Sequence, residues 1–318
     1  MFRRTSMPRR TLSPVRHRSL LNRSLPAGLG VGGLLLAGCG SATGTTTDPG
    51  AALRAKLPAS LRSAGALRIG SNLNYAPVDF KGSDGTPAGL DIDLANALGA
   101  YLNLRIQFVD RPFAQLIPAV QNHELDLAMS AVIDTPQRQS GADDNGRQAN
   151  PGVDFVDYFL TGTAILVKAG NPQSIVNLDG LCGRTVAMQR GTIQAEIAAR
   201  QVAACTKVGK SLTIDLFDTD EQALAEVASG KAVADLNDYP VAAYNTQPDR
   251  GGDRFQVTGA MLQTSPYGIT VNKADNALRD VLAKAVDQLI RNGTYDKILT
   301  KWNARNGAVP VSEINGGF

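Results

Sequence analysis

The chain has 318 residues, of which 43% are hydrophobic and 19% charged, a composition typical of globular proteins and a length sufficient for two domains. Its net charge of +3 comes from residues 1–38, which contain seven arginines and no acidic residue; the remaining residues carry 25 basic and 29 acidic side chains. That balance excludes the basic surface typical of nucleic-acid-binding proteins. The chain has only two histidines, His17 and His123, and at most two cysteines besides Cys39. These residues cannot supply a zinc site of the usual spacing, so no metal and no cofactor are expected.

Residues 1–38 have the features of a signal peptide. The arginine-rich start is followed by an apolar, glycine-rich segment at 25–38. That segment is too short to span a bilayer as a helix, and it resembles the apolar part of a secretory signal. The pair Arg9-Arg10 also permits the twin-arginine route, so the export route stays open.

The signal ends in Leu36-Ala-Gly-Cys39, which resembles a bacterial lipobox. The resemblance implies cleavage before Cys39, acylation of that cysteine and a lipid anchor in the membrane. A buried N-terminal segment with an incidental cysteine is the alternative. Residues 39–62 then comprise the lipidated cysteine and a flexible tether, because they begin with small polar residues.

Between residues 65 and 129, short apolar strands alternate with amphipathic helices. The pattern predicts strands at 66–70, 104–109 and 126–129, and helices that begin near residues 89 and 112. Two strand–helix–strand units in succession predict a parallel sheet and an α/β fold. Asp91 and Asp93 begin the first helix and suit its dipole. We interpret them as a solvated helix start rather than a metal site.

The next strand leads into a polar turn that carries an arginine. The strand ends at Ser130, and Thr135-Pro136 predicts the first turn of a helix, with threonine as N-cap and proline at the first position. Ligands of open α/β sheets bind beyond the carboxyl ends of strands. Arg138 at that place could hold a carboxylate through two parallel hydrogen bonds. A solvated arginine on the helix surface is the alternative.

Several motifs follow one another in order along residues 65–303. They are Gly70-x4-Tyr75-Ala-Pro77, Gly89-Leu-Asp-Ile-Asp93-Leu, Leu116-Ile-Pro-Ala-Val120, Leu125-Asp126, Thr135-x2-Arg138 and Val153-Asp-Phe155. In this combination the chain resembles the family-3 bacterial extracellular solute-binding proteins, the polar amino-acid receptors of ABC importers. The resemblance implies a type II periplasmic-binding-protein fold, in which two α/β lobes are joined by two crossover segments that act as a hinge.

The same resemblance assigns ligand-binding roles in both lobes. In the first lobe Arg138 would bind the ligand α-carboxylate, Ser130 would add contacts, and Tyr75 would stack on the ligand side chain. The full set of expected ligand-binding residues is Asn72, Tyr75, Phe113, Ser130, Ala131, Arg138, Gly191, Thr192, Gln194 and Asp238.

The second lobe would contribute a glycine turn and a carboxylate. The turn at Gly191-Thr192 precedes a helix whose free N–H groups form an anion site, and the resemblance implies that it covers the ligand carboxylate. Asp238, with Asp235 as the second choice, would face the ligand ammonium, because a water-free cleft must offer each end of a zwitterion an opposite charge. A helix N-cap is the other interpretation of Asp238.

Two cysteines remain once Cys39 is lipidated. Cys182 and Cys205 form an even pair, 23 residues apart, in an oxidising compartment, so we predict a disulfide. Two buried thiols are the alternative.

The chain departs from the family pattern in two places. Ile133 stands where the family usually has serine or threonine to help hold the ligand ammonium. Residues 139–152 form a polar insert, interpreted as a surface loop close enough in sequence to reshape the mouth of the site.

Together these features predict a signal peptide (1–38), a tether (39–62), a first lobe (63–160 plus 260–303), a second lobe (161–259) and a tail (304–318). The expected function is binding of a small polar amino acid or related zwitterion by a monomer. The protein would be lipid-anchored on the extracytoplasmic face of the cell membrane and would deliver its ligand to the permease of an ABC importer. The alternatives are an enzyme on the same fold, such as a cyclohexadienyl dehydratase, and a sensory domain. An enzyme would need an acid or base in the cleft, and we expect His123 to be solvated.

Overall fold

The structure, a computed structural model, describes residues 48–317 except 144 and 251. For residue 250 it describes the backbone but not the side chain. The predicted signal peptide (1–38), the lipidation site Cys39 and the first part of the tether lie outside the described residues. Among the described helices, none is both long enough and apolar enough to cross a membrane.

Within the described residues, eleven strands form two sheets. The strands are β1 (Ala66–Ser71), β2 (Asn74–Tyr75), β3 (Asp79–Lys81), β4 (Pro87–Ala88), β5 (Arg105–Asp110), β6 (Leu127–Ala128), β7 (Asp154–Lys168), β8 (Thr185–Gln189), β9 (Thr213–Phe217), β10 (Ala234–Asp238) and β11 (Phe255–Val271). The large sheet has the order β5-β1-β6-β11-β7-β10-β8-β9, and β2, β3 and β4 form a small antiparallel sheet.

The helices of the described residues cover the large sheet. They are α1 (Pro49–Arg54), α2 (Ala59–Ala64), α3 (Leu90–Leu102), α4 (Leu116–Gln121), α5 (Pro136–Ser140), α6 (Ile193–Lys207), α7 (Asp220–Ser229), α8 (Tyr239–Asn245), α9 (Asn276–Arg291) and α10 (Thr294–Lys301). Four short 3-10 helices lie at Phe113–Gln115, Leu178–Leu181, Pro248–Arg250 and Arg305–Gly307.

The large sheet consists of two parallel groups of strands joined by two long antiparallel ones. In the first half, β1 pairs in parallel with β5 and β6; in the second half, β8 pairs in parallel with β9 and β10. Strands β7 and β11 pair with each other through both halves, and their register shifts between Thr258 and Gly268. The chain thus passes twice between the halves. The predicted α/β fold of the type II periplasmic-binding-protein class is confirmed.

Separate sets of buried apolar side chains stabilise the two halves. In the first half, Leu94 of α3 and Leu282 of α9 pack in a cluster with the strands. In the second half, Met188 of β8, Ile197 of α6 and Leu236 of β10 form another cluster. Each half therefore has buried apolar packing of its own, in agreement with the expectation of two lobes, whose boundaries remain a prediction.

The predicted disulfide between Cys182 and Cys205 is confirmed, with the two sulfur atoms 1.97 Å apart. It joins the segment before β8 to the last turns of α6.

The residues predicted as a tail pack against β7. The N–H of Asp157 donates to the carbonyl of Glu313, and the N–H of Gly316 donates to the Asp157 carboxylate at 2.9 Å. The segment 304–317 therefore contributes to the first half of the fold.

Candidate functional site

A narrow cavity lies between the two halves of the large sheet. The residues that line it are Asn72, Tyr75, Phe113, Ser130, Ala131, Ile133, Arg138, Gln189, Thr192, Ile193, Gln194 and Asp238. Nine of the ten residues predicted to bind ligand are among them. The tenth, Gly191, lies at the edge, where its carbonyl accepts a hydrogen bond from Arg138. The structure therefore brings the predicted residues together, and their ligand-binding role stays a prediction.

Arg138 is positioned by the short helix α5, whose start is determined by its N-cap and its first residue. The Thr135 hydroxyl caps α5 by accepting a hydrogen bond from the N–H of Arg138 at 3.2 Å, and Pro136 occupies the first helical position, as predicted. The guanidinium donates from Nη1 to the Ile133 carbonyl at 2.8 Å and from Nη2 to the Gly191 carbonyl at 3.0 Å. The second bond joins the two halves of the sheet.

The Arg138 guanidinium lies 5.8 Å from the centre of the Phe113 ring, within the range of a cation–π contact. Burial lowers the pKa of Arg138, an effect opposed by the nearby carboxylates of Glu196 and Asp238. An arginine side chain remains protonated in proteins. The cavity therefore contains a permanent cation on its first-half wall.

Asp238 ends β10 on the opposite wall and is buried. One carboxylate oxygen, Oδ2, lies 2.8 Å from the Tyr75 hydroxyl, and the other, Oδ1, accepts a hydrogen bond from Gln194 Nε2 at 2.9 Å. Asp238 occupies the N-cap position of α8, but its side chain makes no capping hydrogen bond to that helix. Burial raises the pKa of Asp238 to about 6, although these hydrogen bonds and Arg138 favour the carboxylate.

Asp235, the second choice for this carboxylate, does not line the cavity. It is fully buried behind the site and accepts a hydrogen bond from Asn237 Nδ2 at 2.8 Å. Asp238 therefore fits the expected position and Asp235 does not. Successive side chains of a strand point to opposite faces, so residues 235 and 238 of β10 face opposite sides.

Tyr75 lines the cavity, as predicted, but its hydroxyl has a further role. It lies 2.6 Å from Asn237 Oδ1 and 2.8 Å from Asp238 Oδ2, so it bridges to the second half of the sheet. Burial raises the pKa of Tyr75 well above its ordinary value, which keeps the hydroxyl protonated and able to donate.

Sequence reasoning missed Gln189, which ends β8 and lines the cavity. Its Nε2 donates at 3.1 Å both to Asn72 Oδ1 and to the Asp218 carbonyl. The position of Gln189 at the carboxyl end of a parallel strand, directly before the Gly191 turn, is a signal that could have identified it. Ile193, the first residue of α6, was missed as well.

Asp91 was predicted to be solvated at a helix start, and this is wrong. It is fully buried beneath the turn at Ala131, where it accepts hydrogen bonds from the Ala131 N–H at 2.8 Å and from the Tyr158 hydroxyl at 2.6 Å. Burial raises its pKa to about 7. The carboxylate fixes a backbone segment whose residue Ala131 has a positive φ of 51°. Asp91 thus supports the wall of the cavity from behind.

Of the other positions singled out in the sequence, one lies in the cavity and the rest lie outside it. Ile133 lines the cavity, whereas His123 is exposed and lies 3.4 Å from the Asp275 carboxylate. In the segment 139–152, the first two residues complete α5, most of the other described residues are exposed, and none of the described residues lines the cavity. No group of three or more histidine, cysteine or acidic side chains in the described part of the chain is arranged to hold a metal ion.

Comparison with known proteins agrees with this architecture. The chain belongs to the bacterial extracellular solute-binding proteins, family 3, which it matches over residues 67–305. It is 28% identical over 270 residues to the arginine-binding protein ArgT of Corynebacterium glutamicum, covering 84% of each chain. It is 27% identical over 241 residues to the histidine-binding periplasmic protein of Escherichia coli, covering 74% of this chain and 86% of that protein.

Solved structures with a similar fold include two ancestral binding proteins. An ancestral arginine-binding protein bound to glutamine is 31% identical, with a TM-score of 0.65 over 75% of this chain and 97% of that one. The ancestral amino acid-binding protein AncCDT-1, a precursor of cyclohexadienyl dehydratase, is 31% identical, with a TM-score of 0.66 over 76% of this chain and 97% of that one.

Proposed function

We propose that this chain is an extracytoplasmic receptor that binds an α-amino acid between the halves of its sheet and delivers it to an ABC importer. One observation carries the proposal: Arg138 and Asp238 lie on opposite walls of one cavity. They are the only charged side chains among the described residues that line it. One half-buried cation facing one buried carboxylate complements a zwitterion, whose two ends cannot be desolvated cheaply without partners.

The α-carboxylate of the ligand would bind to Arg138, whose planar guanidinium suits two parallel hydrogen bonds. The turn at Gly191 and Thr192 would cover the carboxylate, because it begins α6 and the helix N-terminus favours a negative charge. The α-ammonium would bind to Asp238. Ile133 supplies no hydroxyl, so the ammonium depends on Asp238 more than it would if a serine stood there.

The proposed lobes, 63–160 plus 260–303 and 161–259, meet at this cavity, and β7 and β11 connect them. A ligand held by one charge on each lobe favours the closed arrangement through the contacts that exist only when both lobes reach it. The permease of the importer would recognise that closed form. We expect the receptor to act as a monomer.

The proposal places the protein on the extracytoplasmic face of the cell membrane, held by a lipid on Cys39. The lipobox-like segment supports this location, and the periplasmic location in the names of relatives supports export. Incorporation of labelled fatty acid into the protein in its bacterial host tests the anchor. Loss of the label in Cys39→Ser is expected, and an unlabelled wild-type protein would show that the anchor is absent.

Calorimetric titration of the purified full chain with the common amino acids tests the binding function. We expect saturable binding of at least one of them, with affinity reduced about 100-fold or more in Arg138→Ala and in Asp238→Ala, since either change leaves one charged end of the ligand without its partner. Arg105→Ala and Asp215→Ala, at exposed strand positions, are matched controls that should keep wild-type affinity. Retained affinity in both cavity variants would overturn the proposal.

We favour binding over catalysis. The relatives named above are binding proteins, and the exposed His123 offers no base to the cavity. Turnover of prephenate by the full chain, monitored by loss of substrate, would instead support the cyclohexadienyl dehydratase alternative.

A further inference from the structure

Beyond its two charges, the cavity has a neutral lining. The uncharged polar residues among its described lining residues are Asn72, Tyr75, Ser130, Gln189, Thr192 and Gln194. If Arg138 and Asp238 bind the two ends of a zwitterion, no further charged group on this lining is left for the ligand side chain.

Two carboxamides meet across the cavity from opposite halves of the sheet. Gln189 Nε2 donates to Asn72 Oδ1 at 3.1 Å, and both side chains are buried. Asn72 Nδ2 donates in turn to the Arg111 carbonyl at 3.1 Å. Among the described residues, these bonds use one N–H group and one acceptor site of Asn72. A carboxamide has two of each, so a donor and an acceptor remain.

The position of Asn72 is fixed from behind. Its backbone N–H donates to the Ser130 hydroxyl at 2.9 Å, and that hydroxyl donates to the buried carboxylate of Asp79. The carboxamide is therefore held at the cavity wall.

We propose that the ligand is an α-amino acid whose side chain ends in an uncharged group that both donates and accepts hydrogen bonds, such as a carboxamide or a ureido group, and that Asn72 and Gln189 bind this group. The inference rests on the proposed function, because Arg138 and Asp238 must bind the ligand backbone. A charged side chain is disfavoured, because its desolvation would not be offset by an opposite charge at contact distance.

Two buried acids behind the second wall do not supply that charge. Asp220 and Asp235 are separated from the cavity by Asn237, which donates to each at 2.8 Å and whose Oδ1 lies 2.6 Å from the Tyr75 hydroxyl. Burial raises the pKa of Asp220 to about 7 and that of Asp235 well above its ordinary value, so both hold a proton more readily than a surface carboxyl.

Calorimetric titration of the full chain with two matched pairs of probes tests the proposal. Citrulline and arginine differ at the end of the side chain mainly in charge, as do glutamine and glutamate. We expect the neutral member of each pair to bind about 10-fold tighter or more, because the charged member loses hydration without gaining a partner. This inference alone would be overturned if arginine bound more tightly than citrulline. It would also be overturned if a small or apolar amino acid bound more tightly than both citrulline and glutamine. Absence of binding by every amino acid would overturn the proposed function as well.

A charge placed at the proposed contact gives a second, independent readout. Asn72→Asp should shift the arginine-to-citrulline affinity ratio toward arginine by about 10-fold, since it supplies the missing carboxylate. Asn74→Asp introduces the same change at an exposed position of β2 and should leave the ratio unchanged. Thermal melting confirms folding, and Gln189→Glu replaces Asn72→Asp if the latter does not fold. An unchanged ratio in a folded cavity variant would contradict the assignment.

Discussion

The hydroxyl of Tyr75 lies 2.8 Å from Oδ2 of Asp238, and this contact joins the two halves of the sheet at the candidate site. Other hydrogen bonds cross the same boundary, among them those from Arg138 to the Gly191 carbonyl and from Gln189 to Asn72. Each crossing bond thus involves a residue that we expect to contact ligand or to lie beside it. If the proposed function is correct, ligand binding and closure of the halves would depend on the same groups.

Removal of the Tyr75 hydroxyl should weaken ligand binding. Tyr75→Phe deletes a donor to the buried Asp238 carboxylate, and hydrogen bonds to charged groups contribute about 1.5–3 kcal/mol, so we expect affinity to fall about 10-fold or more. Calorimetry with the best amino acid measures this. Tyr239→Phe, at an exposed tyrosine next to Asp238, is the matched control. Equal affinities in the two variants would show that the bridge does not contribute to binding.

Ligand affinity should depend on pH through Asp238. Its pKa is raised to about 6, so below that pH the carboxyl gains a proton and no longer attracts the ligand ammonium. Affinity should be nearly constant above about pH 7 and should fall toward about 10-fold per pH unit well below pH 6. Titrations across this range measure the profile.

Asp238→Asn serves as the control for that profile. Its residual affinity should be weak and nearly independent of pH in the same range, because the titrating group is absent. A pH dependence that persists in the variant would assign the effect to another buried acid, such as Asp220.

Position 191 favours glycine for two reasons. Its φ of +83° is in the left-handed region, and a Cβ atom there would lie 2.9 Å from the Cβ of Ala114 in the first half. Gly191→Ala should therefore oppose closure and lower ligand affinity, measured by calorimetry, about 10-fold.

Gly209→Ala separates these two causes. Gly209 has a similar φ of +71°, but nothing lies within 4 Å of a Cβ placed there. This control should lose stability from backbone strain, about 1 kcal/mol, and keep full affinity. If both variants bind ligand normally, contact between residues 191 and 114 is not needed for closure.

The sequence predicted the features that depend on neighbouring residues. The cap at Thr135 and the helix start at Pro136 are local signals, and they predict Arg138 in the short helix that follows a strand. The alternation of strands and helices likewise predicted the fold, because a parallel sheet requires crossover connections.

Residues whose role depends on distant partners were harder to predict. Asp91 has the local signature of a solvated helix start, yet it is buried because Tyr158 and the Ala131 backbone pack on it from far along the chain. Gln189 contacts Asn72 across 117 positions of sequence. No periodicity or spacing encodes such a pair, so only the folded arrangement reveals it.

The disulfide between Cys182 and Cys205 should stabilise the second half without affecting ligand affinity. Helix α6 begins at the cavity with Ile193 and Gln194, whereas Cys205 lies near its other end. Closing a loop of this length, with a sequence separation of 23, restricts the unfolded chain. The paired change to Cys182→Ala and Cys205→Ala should therefore lower the free energy of unfolding by about 3 kcal/mol, measured by denaturant titration.

A reducing agent provides the control for this expectation. It should destabilise the wild-type chain by a similar amount and leave the double variant unchanged, because only the former has a bond to reduce. Calorimetry should give the same ligand affinity for both proteins under conditions where both are folded. Weaker binding by the double variant would mean that the bond also positions the start of α6, since the helix is the rigid connection between Cys205 and the cavity.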